Sequence, residues 1–308
     1  MFGLILPWLL LLLVITIVVL LLRKKWKPSL FFAAVFIVVN WWAECIPFRL
    51  FETSAASRVG ALRIISFNID GSDGDPLEKA RNIRAYLRKF PHDIVFIAEF
   101  NEQYPKSLDS LLNQDYKYTT YPNHLFFQYF FGQHPFLNSR RLISPNGEEL
   151  GVYACSMVFQ NDTIDLYGCH WASNNYDEHE VREGLENIDN HKGIARYIRN
   201  IQSASERRRI EAQAIVREMS KTSRLAIVMG DMNDVGGSPA IKILESAGLK
   251  DAWWEKGVGY GATIHRPLPY RIDHIMHTQG LKIERIKALD SNGVSDHNAL
   301  YAEFSLIK

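Results

Sequence analysis

The chain has 308 residues, 47% of them hydrophobic and 22% charged, with a formal net charge of +1; this fits one large globular domain plus a more apolar segment. The charge is unevenly divided. Residues 1–59 hold six basic side chains (Arg23, Lys24, Lys25, Lys27, Arg49, Arg58) against Glu44 and Glu52, leaving 29 basic and 32 acidic residues beyond, a faintly acidic balance that excludes a ready-made nucleic-acid surface but not a local basic groove.

Phe2 to Leu22 carries no charge and is about the length that crosses roughly 30 Å of hydrocarbon as a helix. A secretory signal fits less well, because the segment is long, lacks a basic start and is not followed by a small-residue cleavage site. Leu30 to Ala43, continuing through Glu44, Cys45 and Ile46 to Phe48, reads as a second span. Asn40 and Glu44 weaken it, while Trp41 and Trp42 suit a membrane interface. Between the two lies RKKWKP. The positive-inside rule puts that loop in the cytoplasm and both chain ends on the far side. Residues 1–50 are thus read as a membrane anchor, 51–60 as a linker and 61–308 as the folded domain, which the topology puts on the extracytoplasmic side.

The folded part opens with a buried strand, LRIISFNID, ending at Asn68 and Asp70. A helix is expected over Asp75 to Phe90, with Pro76 in its first turn. The strand DIVFIAEF then ends at Glu99. Residues 105–113 suggest another helix and Tyr116 to Tyr121 a strand, and the aromatic patch Phe126 to Phe136 is expected to pack core. Val152 to Phe159 and Thr163 to His170 form a hairpin; with a three-residue turn centred on Asp162, Cys155 and Cys169 would face each other. Two buried thiols are the simpler reading. Asn174 to Lys221 is the longest helical region, with a break near Ser203 to Ser205, and its Arg207, Arg208, Arg209 run reads as a solvated face. The part from Tyr176 to Ala204 resembles an insertion beside the site mouth.

Next comes IVMGDMND, an apolar strand delivering Asp231, Asn233 and Asp234 at its carboxyl end. Open α/β sheets bind ligands just outside such ends. A helix from Ser238 to Ala247, closed by Gly248, follows, and then the strands YRIDHIM, Leu281 to Ala288 and Ala299 to Leu306. There is no internal repeat. Strands with helices between them early and adjacent strands late predict an α/β sandwich with mixed sheets.

Polar groups therefore collect at strand ends: Asn68, Glu99, His170, Asp231 with Asn233, Asp273, and Ser295, Asp296 and His297 before the last strand. Each alone also fits a cap, an ion pair or a satisfied core residue. Together, with no Ser or Cys nucleophile in an obvious setting, they point to metal-assisted hydrolysis. Carboxylates, a carboxamide and few imidazoles suit a hard divalent cation such as Mg2+, with Mn2+ as a substitute, whereas zinc would call for His and Cys at short spacing. Phosphate esters match such a site, because their oxygens need charge neutralisation and their attacking water needs a base.

SFNID, DIVFIAE, YGCHWAS, GDMND, YRIDHIM and SDHNAL, in this order from about residue 61 to the end, resemble the motifs of the endonuclease/exonuclease/phosphatase family. The resemblance implies a four-layer α/β/β/α sandwich with the site at one edge of the paired sheets. It implies metal binding through Glu99, with Asn68 and Asp296 beside the ion. Asp231 would orient or activate water, Asn233 would hold a phosphate oxygen, and His297, oriented by Asp273, would act at the phosphate. His170 stands where the deoxyribonuclease-like and sphingomyelinase-like branches carry a histidine and where abasic-site enzymes carry a tyrosine motif, which argues against abasic-site repair. Asp70 is a candidate for a second metal position. The expected substrate is a phosphate ester, either nucleic acid or lipid or inositol phosphate, with the membrane as partner and no protein partner. The competing class is a catalytically silent binding module on the same fold, which the filled set of catalytic positions disfavours.

Overall fold

The computed structural model describes residues 2–49, 51, 59–70, 75–99, 111–120, 128–174, 191–265 and 268–307. Its first two elements are the apolar segments, α1 (Phe2–Leu22) and α2 (Trp26–Ala43), both long and apolar enough to cross a membrane. Only 6% and 17% of their most apolar windows are buried, so neither serves as a core helix of the folded domain. Asn40 does not break α2, because its side chain is satisfied at the helix end: Nδ2 donates to the Ile46 carbonyl (2.7 Å) and Oδ1 accepts from the Ile46 N–H (2.9 Å).

The remaining elements are β1 (Leu62–Asn68), α3 (Pro76–Leu87), β2 (Ile94–Ala98), β3 (Tyr118–Thr119), β4 (Tyr129–Gly132), β5 (Phe136–Ile143), β6 (Glu149–Phe159) and β7 (Asp162–His170). After them come α4 (His191–Met219), β8 (Leu225–Asp231), α5 (Pro239–Ser246), β9 (Lys250–Asp251), α6 (Ala252–Lys256), β10 (Asp273–His277), β11 (Leu281–Leu289) and β12 (Ala299–Leu306). Two six-stranded sheets result, in the orders β11-β12-β1-β2-β4-β3 and β5-β6-β7-β8-β10-β9. Each is mixed. β1 and β2 run parallel in one, β7 and β8 in the other, and every other pairing is antiparallel.

The sheets stack face to face over Ile64, Phe96, Phe130, Leu166, Ile227 and Met229. The outer faces are covered by helices. Ile83, Tyr86 and Leu87 of α3 pack on Phe67 and Ile97, while α4 and α5 bring Ala212, Ile215, Ile241 and Leu244 onto Tyr167 and Val228. This is the expected α/β/β/α sandwich. At Gly168 the sheets approach so closely that an added Cβ would lie 2.1 Å from Phe96 Cε2. Local signals explain the helix starts: Asp75 accepts from the Leu77 and Glu78 N–H groups ahead of Pro76, and Ser238 from the Ile241 N–H ahead of Pro239.

Several expectations are corrected. The hairpin turns at Gln160 and Asn161, both at positive φ, so Phe159 faces Asp162 and the register moves. Cys155 then lies opposite Leu166 and Cys169 opposite Val152. One thiol enters the inter-sheet core and the other the outer cluster, and both are free. The long helix does not break at Ser203 to Ser205. Its inward positions, Ile201, Ala204, Arg208, Ala212 and Ile215, keep helical spacing through the serines. β4, β5, β9 and α6 had not been expected. The aromatic patch does pack core where it is described, with Phe130 and Phe131 fully buried. Most of 105–113, and 176–190 of the insertion-like stretch, lie outside the described residues.

Candidate active site

The two parallel strand pairs end at one edge of the sandwich. β1 delivers Asn68 and β2 continues into Glu99 on the first sheet; on the second, His170 and Asp231 are directly paired in register, and Asp273 of β10 pairs with Asp231 from the other side. His297 comes from the loop before β12. Ser295 ties that loop to the sheet, donating from Oγ to the Asn68 carbonyl (2.8 Å) and accepting from the His297 N–H (3.0 Å).

These side chains meet. Asn68 Nδ2 donates to Glu99 Oε1 (2.8 Å) and to Asp231 Oδ2 (3.1 Å), while its Oδ1 accepts from the Asp70 N–H (3.1 Å). His170 Nε2 lies 3.1 Å from Glu99 Oε1. His297 Nδ1 lies 2.8 Å from Asp273 Oδ2, and its free edge, Nε2, is 4.0 Å from Asp231 Oδ2. Asn233 donates its backbone N–H to Asp231 Oδ1 (2.8 Å) and its Nδ2 to the Trp171 carbonyl (3.0 Å). Glu99 (φ +60°) and Asn233 (φ +49°) sit in the left-handed region. Asn tolerates that conformation; Glu there is unusual, and such strain gathers at functional sites.

Charge is tuned by burial and neighbours together. Burial alone would raise Glu99, but hydrogen bonds from His170 and Asn68 and the charges of His170 and His297 outweigh it, holding the carboxyl at about 2. Asp231 is pushed the other way, to about 6, by burial and then by the Asp273 charge, with the two histidines opposing. Burial disfavours the His297 cation, yet Asp273, Asp231 and Asp296 raise its pKa to about 10. His170 is also raised despite burial, through Glu99 and Asp231.

Glu99, His170 and Asp231 each offer a ligand atom, all within 4.8 Å of one another. Two carboxylates and one imidazole, with Asn68 beside them, form a donor set that suits a hard divalent cation better than a soft one. Glu99 was expected as a ligand. Asp231 was expected to orient or activate water and His170 to serve as acid or phosphate ligand, and Asn68, expected beside the ion, turns toward the cluster its amide nitrogen, a donor that binds no cation, while its oxygen accepts from the Asp70 N–H. Asp296 is exposed, at the rim. Its carboxyl is raised first by burial, against His297, and further by Asp70 and Glu99. Asp70 and Asp296 line a cavity of about 490 Å³ together with Asp75, Glu78, Lys79 and His265.

One positioning residue had been misread. Arg208 is 1% exposed and donates to Asp234 Oδ2 (3.1 Å), the Ala172 carbonyl (2.9 Å) and Asn174 Oδ1 (3.0 Å). It thereby joins the turn after Asp231 to the segment after His170. The signal was present in the sequence: Ala204, Arg208 and Glu211 share the spacing of the inward face.

Comparison with known proteins agrees with this architecture. The profile of the Endonuclease/Exonuclease/phosphatase family matches residues 65–297. No curated protein matches the chain. Among solved structures, TDP2 of D. rerio humanized by 14 mutations is 18% identical over 80% of this chain and 99% of its own, with a TM-score of 0.61. D. rerio TDP2 complexed with a single-strand DNA product has the same identity and coverage and a TM-score of 0.59. A family protein from Leptotrichia buccalis is 18% identical over 80% of this chain and 100% of its own, at 0.56.

Proposed function

The chain belongs to the endonuclease/exonuclease/phosphatase family, and from that membership and the geometry of the strand-end site we propose that it is a membrane-anchored, divalent-metal-dependent hydrolase of phosphodiester bonds. The observation that carries the reading is the convergence of Asn68, Glu99, His170, Asp231, Asp273 and His297 at one edge from both sheets. Mg2+ or Mn2+ held by Glu99 with His170, Asp231 or Asp296 would neutralise a phosphate oxygen and polarise the ester.

The chain's own groups divide the remaining work. Asp231, with a pKa raised to about 6, is ionised at neutral pH yet basic enough to take a proton from an attacking water. Asn233 holds that carboxylate in place through its backbone N–H and Nδ2, and the second Nδ2 hydrogen goes to the Trp171 carbonyl, so the phosphate contact expected of this residue would require one of those bonds to open. His297 stays protonated, because Asp273 occupies Nδ1, and turns Nε2–H toward the space beside Asp231. A fixed cation there stabilises charge that grows on the phosphate oxygens in the transition state.

The direct test uses the full chain in detergent micelles with a soluble aryl phosphodiester. Turnover should need Mg2+ or Mn2+, stop with EDTA, and be lost in Glu99→Gln and His297→Ala with folding intact. A wild-type protein that binds the metal but hydrolyses no phosphodiester would instead favour a binding module.

The anchor is the second part of the proposal. It is supported by α1 and α2 and by Arg23, Lys24, Lys25 and Lys27 at the far end of the helix pair from the folded domain. With those charges in the cytoplasm, the catalytic domain lies outside it. A reporter fused after Lys308 should then be active only on the extracytoplasmic side; activity confined to the cytoplasm would reverse the topology.

A further inference from the structure

The helix pair is seated on the folded domain through built contacts. Leu10, Ala43, Cys45 and Ile46 form an apolar cluster with Tyr260 of the domain. Trp8 Nε1 donates to the Tyr270 hydroxyl (2.9 Å), the two rings meeting edge-on, and Arg271 Nη2 donates to the Glu44 carbonyl (3.3 Å). Gly236 and Gly237, just after Asp234, let the backbones touch. A Cβ on Gly236 would lie 2.6 Å from the Ala43 carbonyl oxygen, and one on Gly237 would lie 3.0 Å from Ala43 Cα and 3.2 Å from Leu6 Cδ2.

This seat coincides with an aromatic belt. Trp8, Trp41, Trp42, Tyr260 and Tyr270 gather where α1 begins and α2 ends, and Trp41 and Trp42 are exposed. Indole and phenol rings settle at the headgroup level of a bilayer. The active site is close to that level. Tyr270 pairs through its backbone with Ile264, and Ile264 with His297; at about 5 Å per pairing, His297 lies within roughly 10 Å of the belt residue. The same loop carries Leu268, exposed at 44%.

The rim argues about what arrives there. Among the described residues, the cavity beside the site is lined by Asp70, Asp75, Glu78 and Asp296 with Lys79 as its one lysine or arginine, and Lys79 donates to the Asp70 carbonyl. A nucleic-acid strand would lay successive phosphates along those carboxylates, unlike the basic groove such ligands call for. A lipid presents a single phosphate at the headgroup plane.

We infer that the substrate is the phosphodiester of a membrane lipid headgroup, and that the seat of α1 and α2 on Gly236, Gly237 and Tyr270 holds the active site in register with the headgroup plane. The inference rests on the phosphodiesterase reading above. The full chain is reconstituted into vesicles of phosphatidylcholine, phosphatidylethanolamine and phosphatidylglycerol with Mg2+, and headgroup release is measured beside turnover of a soluble aryl phosphodiester and of a single-stranded DNA oligonucleotide. Lipid headgroups should be released and the oligonucleotide left intact. Trp8→Ala and Leu10→Ala, both on α1 and away from the turn after Asp231, should each lower lipid turnover at least tenfold while aryl phosphodiester turnover changes less than twofold. Should either not fold, Trp8→Phe, which keeps an aromatic ring and loses the N–H donor, takes its place.

Cleavage of the aryl diester or the oligonucleotide with lipid untouched overturns this inference and leaves the phosphodiesterase reading standing. Equal loss on lipid and aryl diester in the seat variants overturns the registering role. Inactivity on all three substrates with Mg2+ and Mn2+ overturns both.

Discussion

Arg208→Met tests how the turn after Asp231 is held. The guanidinium is 1% exposed and Asp234 3%, so the substitution leaves a buried carboxylate without its cation and unpairs the Ala172 carbonyl and Asn174 Oδ1. Breaking one side of such a pair costs about 3–5 kcal/mol. For a domain of this size each kcal/mol moves the melting temperature by roughly 2–4 °C, so thermal unfolding of the full chain should shift down by about 6–20 °C. A neutral partner separates charge from packing: Arg208→Met combined with Asp234→Asn should recover a large part of the loss, because no unpaired charge is then buried. A melting temperature within 2 °C of wild type for the single variant, or no recovery in the double, would refute the assignment of Arg208 as the buried counter-ion of the turn.

Asp273→Asn keeps the shape of the site and removes the leading one of the charges that raise His297 to about 10 against burial, so kcat on an aryl phosphodiester should fall about 100-fold or more with KM within threefold, and an unchanged kcat would sink the role given to the pair. Gly168→Ala should destabilise the domain by about 1–3 kcal/mol in denaturant titrations, since its Cβ would meet the Phe96 ring at 2.1 Å; a neutral result would mean that the sheets can separate there. Burial opposes ionisation of Asp251, but Arg271 and His274 override it and hold the carboxyl well below its usual 3.8. Its contribution to stability is therefore present above pH 3.8 and is lost as pH falls through the lower folded value. Melting temperature against pH should show a steep acid limb that is flatter in Asp251→Asn, and parallel limbs would reject the linkage.

Much of this was legible in the residues because strands and polar groups obey different constraints. A buried parallel strand must be apolar throughout, so the point where Asn68, Glu99 or Asp231 interrupts such a run marks the sheet edge without any knowledge of topology. Six strand ends can share an edge only if the sheets stack in one register, and the sequence holds that register in no single window. The cysteines show the limit. A type of turn shorter by one residue moved Cys155 and Cys169 to opposite faces, because side chains alternate with period two. Arg208 was misread for a different reason. A run of three arginines resembles a solvated helix face and obscured the spacing that puts its middle member on the inward face with Ala204 and Glu211; the partners it meets there, Ala172, Asn174 and Asp234, are visible in no local window. The seat of the helix pair was out of reach as well, since Gly236 and Gly237 read as an ordinary turn until Ala43 is brought against them.

The turn that carries Asp231 and Asn233 is held from three sides, and the three holds explain one another. From α4, Arg208 fixes the Asp234 carboxylate. Within the second sheet, His274 Nε2 lies 3.0 Å from the Asp234 carbonyl, while its Nδ1 and Arg271 both bond Asp251. Beyond the turn, Gly236 and Gly237 rest on Ala43, and Arg271 reaches the Glu44 carbonyl. The role proposed for Asp231, a base facing water and phosphate within a few tenths of an ångström, would need such support, because a loop held on one side alone would leave it loose. Arg271 is shared by the last two holds, so the contact that seats α1 and α2 is also part of the network behind the turn after Asp231. Loosening the anchor should therefore be felt first in where the site stands relative to the membrane. Its chemistry should be affected only when Arg271 loses Asp251, the partner that the sheet itself supplies.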